Sequence, residues 1–137
     1  MISFEANWIG VVVVTVIGMV VGFVWYAPRV MGNRWMAYVG TTEADLKARG
    51  GRVVALISNL IGSALTAYVI ATHLQMIGIT GIGEGIVLGL IVWIGFMFTT
   101  SWVGNVFEKW PIGLTVLNNL YYSITFMLMA IARTAIG

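Results

Sequence analysis

Charged residues are missing from four long stretches of the chain. These stretches lie between Glu5 and Arg29, Arg52 and Glu84, Glu84 and Glu108, and Lys109 and Arg133. An α-helix rises about 1.5 Å per residue, so a hydrocarbon core about 30 Å thick is crossed by roughly 20 residues. Each stretch is long enough for one such span. The pattern predicts transmembrane helices at residues 8–27, 53–73, 85–106 and 112–132.

The first stretch, IGVVVVTVIGMVVGFVW, is β-branched enough to suit a buried strand as well. Its length and its lack of polar/apolar alternation favour a helix over a membrane barrel strand. An unpaired strand in hydrocarbon would also leave its backbone amides unsatisfied. A cleaved signal peptide is not expected, because Glu5 precedes the stretch and the arginines follow it. We therefore expect a retained helical span.

Composition agrees with an all-α membrane protein forming a single domain over residues 1–137. The chain is 60% apolar and 9% charged, whereas soluble domains are about 45–50% apolar and about 25% charged. Twelve charged side chains, seven basic and five acidic, cannot cover the surface of a globule in water. The lipid bilayer is the expected partner. The small excess of bases gives no reason to expect nucleic-acid binding.

The basic residues predict how the chain crosses the membrane. Six lie in the first and third loops: Arg29, Arg34, Lys47, Arg49, Arg52 and Lys109. Only Arg133 lies on the opposite side. Because cytoplasmic loops carry the excess of Lys and Arg, we expect both termini outside and the first and third loops in the cytoplasm. The expected location is a bacterial inner (plasma) membrane.

The junction WYAPRVMGNRW at the end of the first span has the features of an inner membrane boundary. Trp25, Tyr26 and Trp35 are rings suited to the headgroup level. Pro28 discourages the helix from continuing, and Arg29 prefers the cytoplasmic side. We expect these five residues to mark the boundary.

The loop at residues 28–52 contains its own helix signal. Thr42 and Asp45 have capping-box spacing, and Gly50-Gly51 is a stop signal. These features predict a short surface helix at residues 43–49. Two roles stay open for it, a solvated charged turn that sets topology and a partner-docking element.

Two pairs of segments indicate an internal repeat. GFVWYAPRVMGNRW from Gly22 resembles GFMFTTSWVGNVFEKW from Gly95, and SNLIGS at 58–63 resembles NNLYYS at 118–123. The order of the matches predicts two tandem helical hairpins. They would be related by a pseudo-twofold axis along the membrane normal. Asn59 and Asn119 would then be equivalent.

These residues also resemble a bacterial family of small four-span integral membrane proteins catalogued as a domain of unknown function. The resemblance rests on Trp25-Tyr26-Ala27-Pro28, the segment from Gly32 to Trp35, TTEADL, and Phe107-Glu108 leading to Pro111. It covers nearly the whole chain. It implies a four-span architecture and no mechanism.

Polar residues recur at helical spacing within the last three spans. The candidates for a polar bundle face or path are Asn59, Ser63, Thr66, Ser101, Asn105, Asn118, Asn119 and Tyr122. They should face the bundle interior, because an unpaired amide in lipid costs several kcal/mol. Either they join helices by hydrogen bonds, or they line a hydrated path past Asn59 and Asn119. The local pattern does not separate the two.

Close helix packing is predicted at Gly18-x-x-x-Gly22 and Gly85-x-x-x-Gly89. Small residues at this spacing let membrane helices approach one another.

His73 and Glu84 flank the turn between the second and third spans, where they could pair on the outer side. A lone histidine could respond to pH near neutrality, or both residues could simply lie in the membrane interface.

The sequence favours a non-enzymatic role. It contains no HExxH motif, phosphate loop or Cys, and its single His offers too few metal ligands, so we expect no metal or cofactor. The first span has no internal carboxylate, which disfavours proton-driven transport. A structural or accessory bundle that forms a homo-oligomer, with itself or a membrane protein as partner, is favoured. The alternative is an oligomeric passive transporter or channel for a small polar or neutral solute.

Overall fold

The computed structural model describes residues 6–137. Glu5, which bounds the first uncharged stretch, lies outside the described residues. The elements in chain order are α1 (Trp8–Trp25), π1 (Pro28–Gly32), α2 (Asn33–Val39), α3 (Glu43–Ala48), α4 (Gly51–Ile77), α5 (Ile82–Val92), π2 (Trp93–Phe98), α6 (Thr99–Glu108) and α7 (Ile112–Ile136). No strand occurs among residues 6–137. The predicted all-α class is confirmed.

Four helices are long and apolar enough to cross a membrane. They are Trp8–Trp25, Gly51–Ile77, Ile82–Glu108 and Ile112–Ile136. The third is built from α5, π2 and α6 in succession, and we call it the third span. The second, third and fourth helices extend beyond the predicted limits, and the added residues include the charged Arg52, Glu84, Glu108 and Arg133.

Local sequence signals account for the ends of the helices. Asn7 caps α1, where its side-chain Oδ1 accepts hydrogen bonds from the amides of Ile9 and Gly10. Gly50 and Gly78 flank α4 with φ angles of 95° and 77°, a left-handed conformation that glycine adopts without a steric penalty. These caps satisfy backbone groups that a helix end would otherwise leave unpaired.

The first loop is more helical than predicted. The capping box of α3 is confirmed: Thr42 accepts from the Asp45 amide, and the Asp45 side chain accepts from the Thr42 amide. The helical segment from Pro28 to Val39 was not predicted. The prediction treated Pro28 only as a stop signal, whereas proline is also compatible with the first turn of a new helix.

Packing places α7 at the centre of the bundle. α1 packs against α4 and α7, while the third span makes its extensive contacts with α7. Of the most apolar 18-residue window in each helix, 44% is buried in α7 and only 6% in the third span. The third span is therefore peripheral. The predicted pseudo-twofold axis stays a prediction.

The two ends of the bundle differ. We call the end that carries residues 26–52 the loop side, and the end that carries Asn7, the α4–α5 turn and Gly137 the terminus side. The apolar core lies towards the terminus side and consists of Val11, Val14, Ala67, Ile70, Ala71, Leu74, Met129 and Ala130. The loop side holds a cavity instead.

Candidate functional site

A cavity of about 660 Å³ opens between the loop-side ends of α1, α4 and α7 and the first loop. We call it the loop-side cavity. Its polar wall is formed by Asn59, Asn118 and Tyr122, all predicted site residues. Small-molecule sites typically occupy about 300–1,000 Å³ and combine apolar walls with a few polar groups. The size and lining of this cavity fit that class.

Tyr26 connects α1 to α7 across the cavity. Its hydroxyl donates to the Asn118 side-chain oxygen at 2.8 Å. Its ring makes edge contacts with Trp35 at 6.1 Å and with Tyr121 at 5.1 Å between ring centroids. Edge-to-face packing is a favoured arrangement for aromatic rings. Tyr26 and Trp35 were predicted to mark the membrane boundary, but the structure places both in the cavity wall.

Asn59 connects α4 to α1 at the same depth. Its side-chain amide donates to the Met19 carbonyl at 3.4 Å, and its oxygen accepts from Ser63 Oγ at 3.0 Å. It also lines the cavity. Asn59 thus joins two helices and also presents its side chain to the cavity.

Gly18 and Gly22 allow three helices to meet above the cavity. A Cβ added at Gly22 would lie 2.7 Å from the Asn59 side-chain nitrogen, and one at Gly18 would lie 2.9 Å from Ser63 Oγ. Met129 from α7 also approaches Gly18. The close approach expected of small residues in membrane helices occurs here. It closes the cavity towards the terminus side.

Charged residues surround the mouth of the cavity. Glu43, Lys47 and Arg52 contribute to its lining and are exposed. The nearby Asp45 keeps the capping box in place, and hydrogen bonds from the Thr42 side chain and amide lower the pKa of its carboxyl group. The interior is therefore built from amides, phenols and apolar groups, and the charges lie at its entrance.

Asn119 belongs to a second polar cluster, between α7 and the third span. Its side-chain nitrogen donates to Ser101 Oγ at 2.8 Å and to the Thr115 carbonyl at 2.9 Å. Its oxygen accepts from the Trp93 indole at 3.3 Å. Asn119 is only 4% exposed and is absent from the cavity lining. Asn59 and Asn119 therefore lie in different surroundings, and the predicted path past both of them stays a prediction.

Asn105 extends this second cluster, because its side-chain nitrogen hydrogen-bonds Thr115 Oγ1. Asn59 therefore bonds to the span that precedes it in sequence. Asn105 and Asn119 bond the third span and α7 to each other. The cluster begins at π2, whose wider turn starts with Trp93. Segments of π-helix are common at functional sites and mark departures from regular packing.

The remaining predicted residues have separate positions. Thr66 is half-buried on α4. His73 is exposed and bonds through Nδ1 to the Val69 carbonyl of its own helix, while the Glu84 carboxylate lies near Gly81. Among residues 6–137 no ion pair joins His73 to Glu84. The third span packs on α7 and makes few contacts with α4, which gives the two side chains no shared surface beyond the turn.

Gly85 and Gly89 lie where α5 crosses α7. A Cβ at Gly89 would lie 3.1 Å from the Phe126 carbonyl oxygen, and one at Gly85 would lie 2.9 Å from Thr134 Cγ2. The helix backbones approach closely at this point, as GxxxG spacing allows. These two glycines hold the otherwise peripheral third span against the bundle.

The boundary residues Trp25, Pro28 and Arg29 surround the start of the loop. Pro28 lines the cavity, Arg29 is exposed, and the indole nitrogen of Trp25 is buried without a hydrogen-bond partner. The sequence analysis missed Tyr121, a cavity-wall residue next to Tyr122. The aromatic pair in NNLYYS is the signal that could have identified it.

Metal ligands do not assemble in the described part of the chain. Among residues 6–137, His, Asp and Glu side chains form no group of three that could hold a metal ion.

Comparison with known proteins gives a family match. A protein-family model with the description Protein of unknown function (DUF1761) matches residues 9–134. No curated protein and no solved structure matches the chain. The resemblance predicted from the sequence is confirmed, and function has to be argued from the geometry.

Proposed function

Since the chain belongs to the family described as Protein of unknown function (DUF1761), we propose its function from the loop-side cavity: it binds a small neutral solute. The observation that carries this proposal is a cavity of about 660 Å³ with aromatic walls and asparagine side chains. Flat rings would stack on Trp35 and Tyr121, and a hydrogen-bonding group would meet Asn59 or Asn118.

The chemistry of the lining supports binding and not catalysis. Amide and phenol groups exchange hydrogen bonds with a solute but supply no general base poised near neutral pH. The charged residues Glu43, Lys47 and Arg52 stay at the mouth, where water screens them. A neutral solute avoids the desolvation penalty that an ion would meet further in.

Benzamide is a suitable first probe, because it combines a flat ring with an amide. We expect saturation-transfer NMR to show benzamide binding to the purified protein in micelles, and Ala55→Trp to abolish it by filling the cavity. Ala55 lines the cavity. Ile61→Trp is the matched control on the same helix, because Ile61 is 56% exposed on the outside. Equal benzamide signals from both variants would contradict the proposal.

Passive transfer of such a solute across the membrane is an extension of this proposal. It would require the contact of Gly18, Ser63 and Met129 to open, or a path formed between copies of the chain. We expect liposomes to show glycerol flux that falls with Asn59→Leu. Benzamide binding without flux would leave the chain as a binding protein and exclude the transport extension.

A structural or accessory role through self-association is the second candidate function. The observation that favours it is the weak burial of the third span, whose Gly95 has no atom within 4 Å of an added Cβ. Small residues on a free face allow a second helix to approach. Either another copy of the chain or a different membrane protein would fit this face.

Cysteine cross-linking tests self-association directly, because the chain contains no cysteine. We expect Thr99→Cys, on the exposed face of the third span, to form a disulfide-linked dimer in membranes. Val16→Cys, which is 53% exposed on α1, is the control and should stay monomeric. Equal cross-linking at both positions would indicate random collision.

We also propose the orientation that the basic residues predict, with the loop side in the cytoplasm of a bacterial cell. A cysteine in place of Thr80, in the α4–α5 turn, should react with an impermeant maleimide added to whole cells. A cysteine in place of Thr41, in the first loop, should react only after the cells are opened. The reverse pattern would invert the assignment.

A further inference from the structure

Arg133 is the unexpected charge of this bundle. It lies in the last turn of α7 and is only 8% exposed. Its Nε has no hydrogen-bond partner, and among residues 6–137 it forms no ion pair. A buried Nε–H without a partner is costly, because it loses its hydrogen bond to water and gains none in exchange. A bound ligand that accepts a hydrogen bond from this side chain would remove that cost.

The fold makes room for this side chain. A Cβ added at Gly10 of α1 would lie 3.5 Å from Arg133 Cδ and 3.6 Å from Nε. The arginine stem therefore lies across the first turn of α1, where glycine leaves the helix surface flat. The contact directs the guanidinium to the terminus side, between the ends of three helices.

A pocket of about 550 Å³ adjoins Arg133 at this end. Its polar lining includes Asn7, Gln75, Thr80, Thr134 and the backbone of Gly137, and among residues 6–137 no Asp or Glu side chain lines it. Asn7 donates to the Gly137 carbonyl at 3.2 Å, which links the start of α1 to the end of α7. Among the side chains of residues 6–137, the pocket thus combines one cation with neutral hydrogen-bonding groups.

Arg133 supplies the full positive charge at this place. The pocket lies at the N-terminus of α1, where the helix dipole is positive, and beside the C-terminal ends of α4 and α7, where it is negative. The charge that would attract an anion is therefore the guanidinium. A guanidinium presents its donors in a planar fork that matches two oxygens of a phosphate. We propose that the pocket binds a phosphate group on Arg133.

Two sources could supply that phosphate. The pocket is at the end of the membrane-crossing helices, the depth of lipid headgroups, so a phosphodiester lipid can reach it from the bilayer. Free inorganic phosphate can reach it from the aqueous side. The proposal concerns the phosphate chemistry that both share, and the experiment distinguishes the sources.

Native mass spectrometry of the full chain released from detergent micelles tests the proposal. The probes are phosphatidylglycerol, diacylglycerol with the same acyl chains, and inorganic phosphate. We expect phosphatidylglycerol to stay bound while diacylglycerol does not. Arg133→Gln should weaken retention by about tenfold or more, because it removes a charge-assisted hydrogen bond. Arg29→Gln, at an exposed arginine on the loop side, is the control and should bind as the unchanged protein does.

Competition assigns the source. Binding of phosphatidylglycerol that excess inorganic phosphate does not displace supports a lipid ligand, whereas binding of inorganic phosphate alone supports a free anion. Equal retention of phosphatidylglycerol and diacylglycerol, or unchanged binding by Arg133→Gln, would overturn the proposal.

A second measurement covers the case in which Arg133→Gln fails to fold. The ¹H–¹⁵N signal of the Arg133 Nε in the unchanged protein should shift on adding phosphatidylglycerol or phosphate. Arg133→Lys identifies this signal by removing it. No shift with either probe would also overturn the proposal.

Discussion

Asn118 and Asn119 are neighbours in sequence with very different surroundings, and replacing each by leucine separates helix joining from solute binding. The Asn119 side chain makes three hydrogen bonds, to Ser101, Thr115 and Trp93. The Asn118 side chain accepts one, from Tyr26. Leucine has a similar size and removes the polar groups from both positions.

The hydrogen bonds set the expected magnitudes. A side-chain hydrogen bond between membrane helices contributes about 0.6 kcal/mol on average. Two of the three Asn119 bonds, to Ser101 and Trp93, join helices, whereas the bond to Thr115 lies within α7. Asn119→Leu should therefore lower the free energy of unfolding by about 1.2 kcal/mol, close to an 8-fold change in the equilibrium constant. Asn118→Leu should lower it by about 0.6 kcal/mol. The expected loss for Asn119→Leu is thus about twice that for Asn118→Leu.

Reversible unfolding measures this difference. The purified variants are titrated with sodium dodecyl sulfate from mild detergent micelles, and helix loss is followed by circular dichroism. Benzamide binding is measured on the same samples. Asn118→Leu should weaken benzamide binding with a small loss of stability. Asn119→Leu should leave benzamide binding unchanged and cause the larger loss of stability. Equal stability losses, or a larger loss for Asn118→Leu, would refute the assignment of the two asparagines.

The remaining predictions concern helix packing and the first loop. Gly89→Ala should destabilise the bundle by about 1–3 kcal/mol, because its Cβ would meet the backbone of α7. Gly62→Ala is the control in the same titration. It should be neutral or slightly stabilising, because no neighbouring atom lies within 4 Å of its added Cβ. For Asp45, the folded pKa is lowered by hydrogen bonds from Thr42, so its contribution to α3 is present above the unfolded pKa and is lost as pH falls through the folded value. Amide exchange of α3 should therefore accelerate on acidification, and Asp45→Asn should remove that pH dependence; a pH response that persists in the variant would assign it to another group.

Sequence alone determined the helices and their suitability for crossing a membrane. The four uncharged stretches predicted the four long helices, because hydrocarbon leaves a chain of this length few ways to satisfy its backbone amides. The capping box at Thr42 and Asp45 predicted where α3 begins, because that signal is complete within four residues. These features depend on local composition and spacing, which a sequence contains in full.

Tertiary structure alone decided which polar residues meet. Tyr26 has the sequence context of a headgroup-level ring, yet it bonds to Asn118 on a helix 92 positions away. Asn59 and Asn119 have matching sequence contexts but lie in separate environments. The reason is that the third span packs on α7, whereas α1 packs on both α4 and α7. Arg133 has the sequence features of a simple terminal charge, and its burial depends on the flat surface at Gly10. Neighbours of this kind depend on how helices pair, and in lipid no hydrophobic force between helices makes that pairing readable from one sequence.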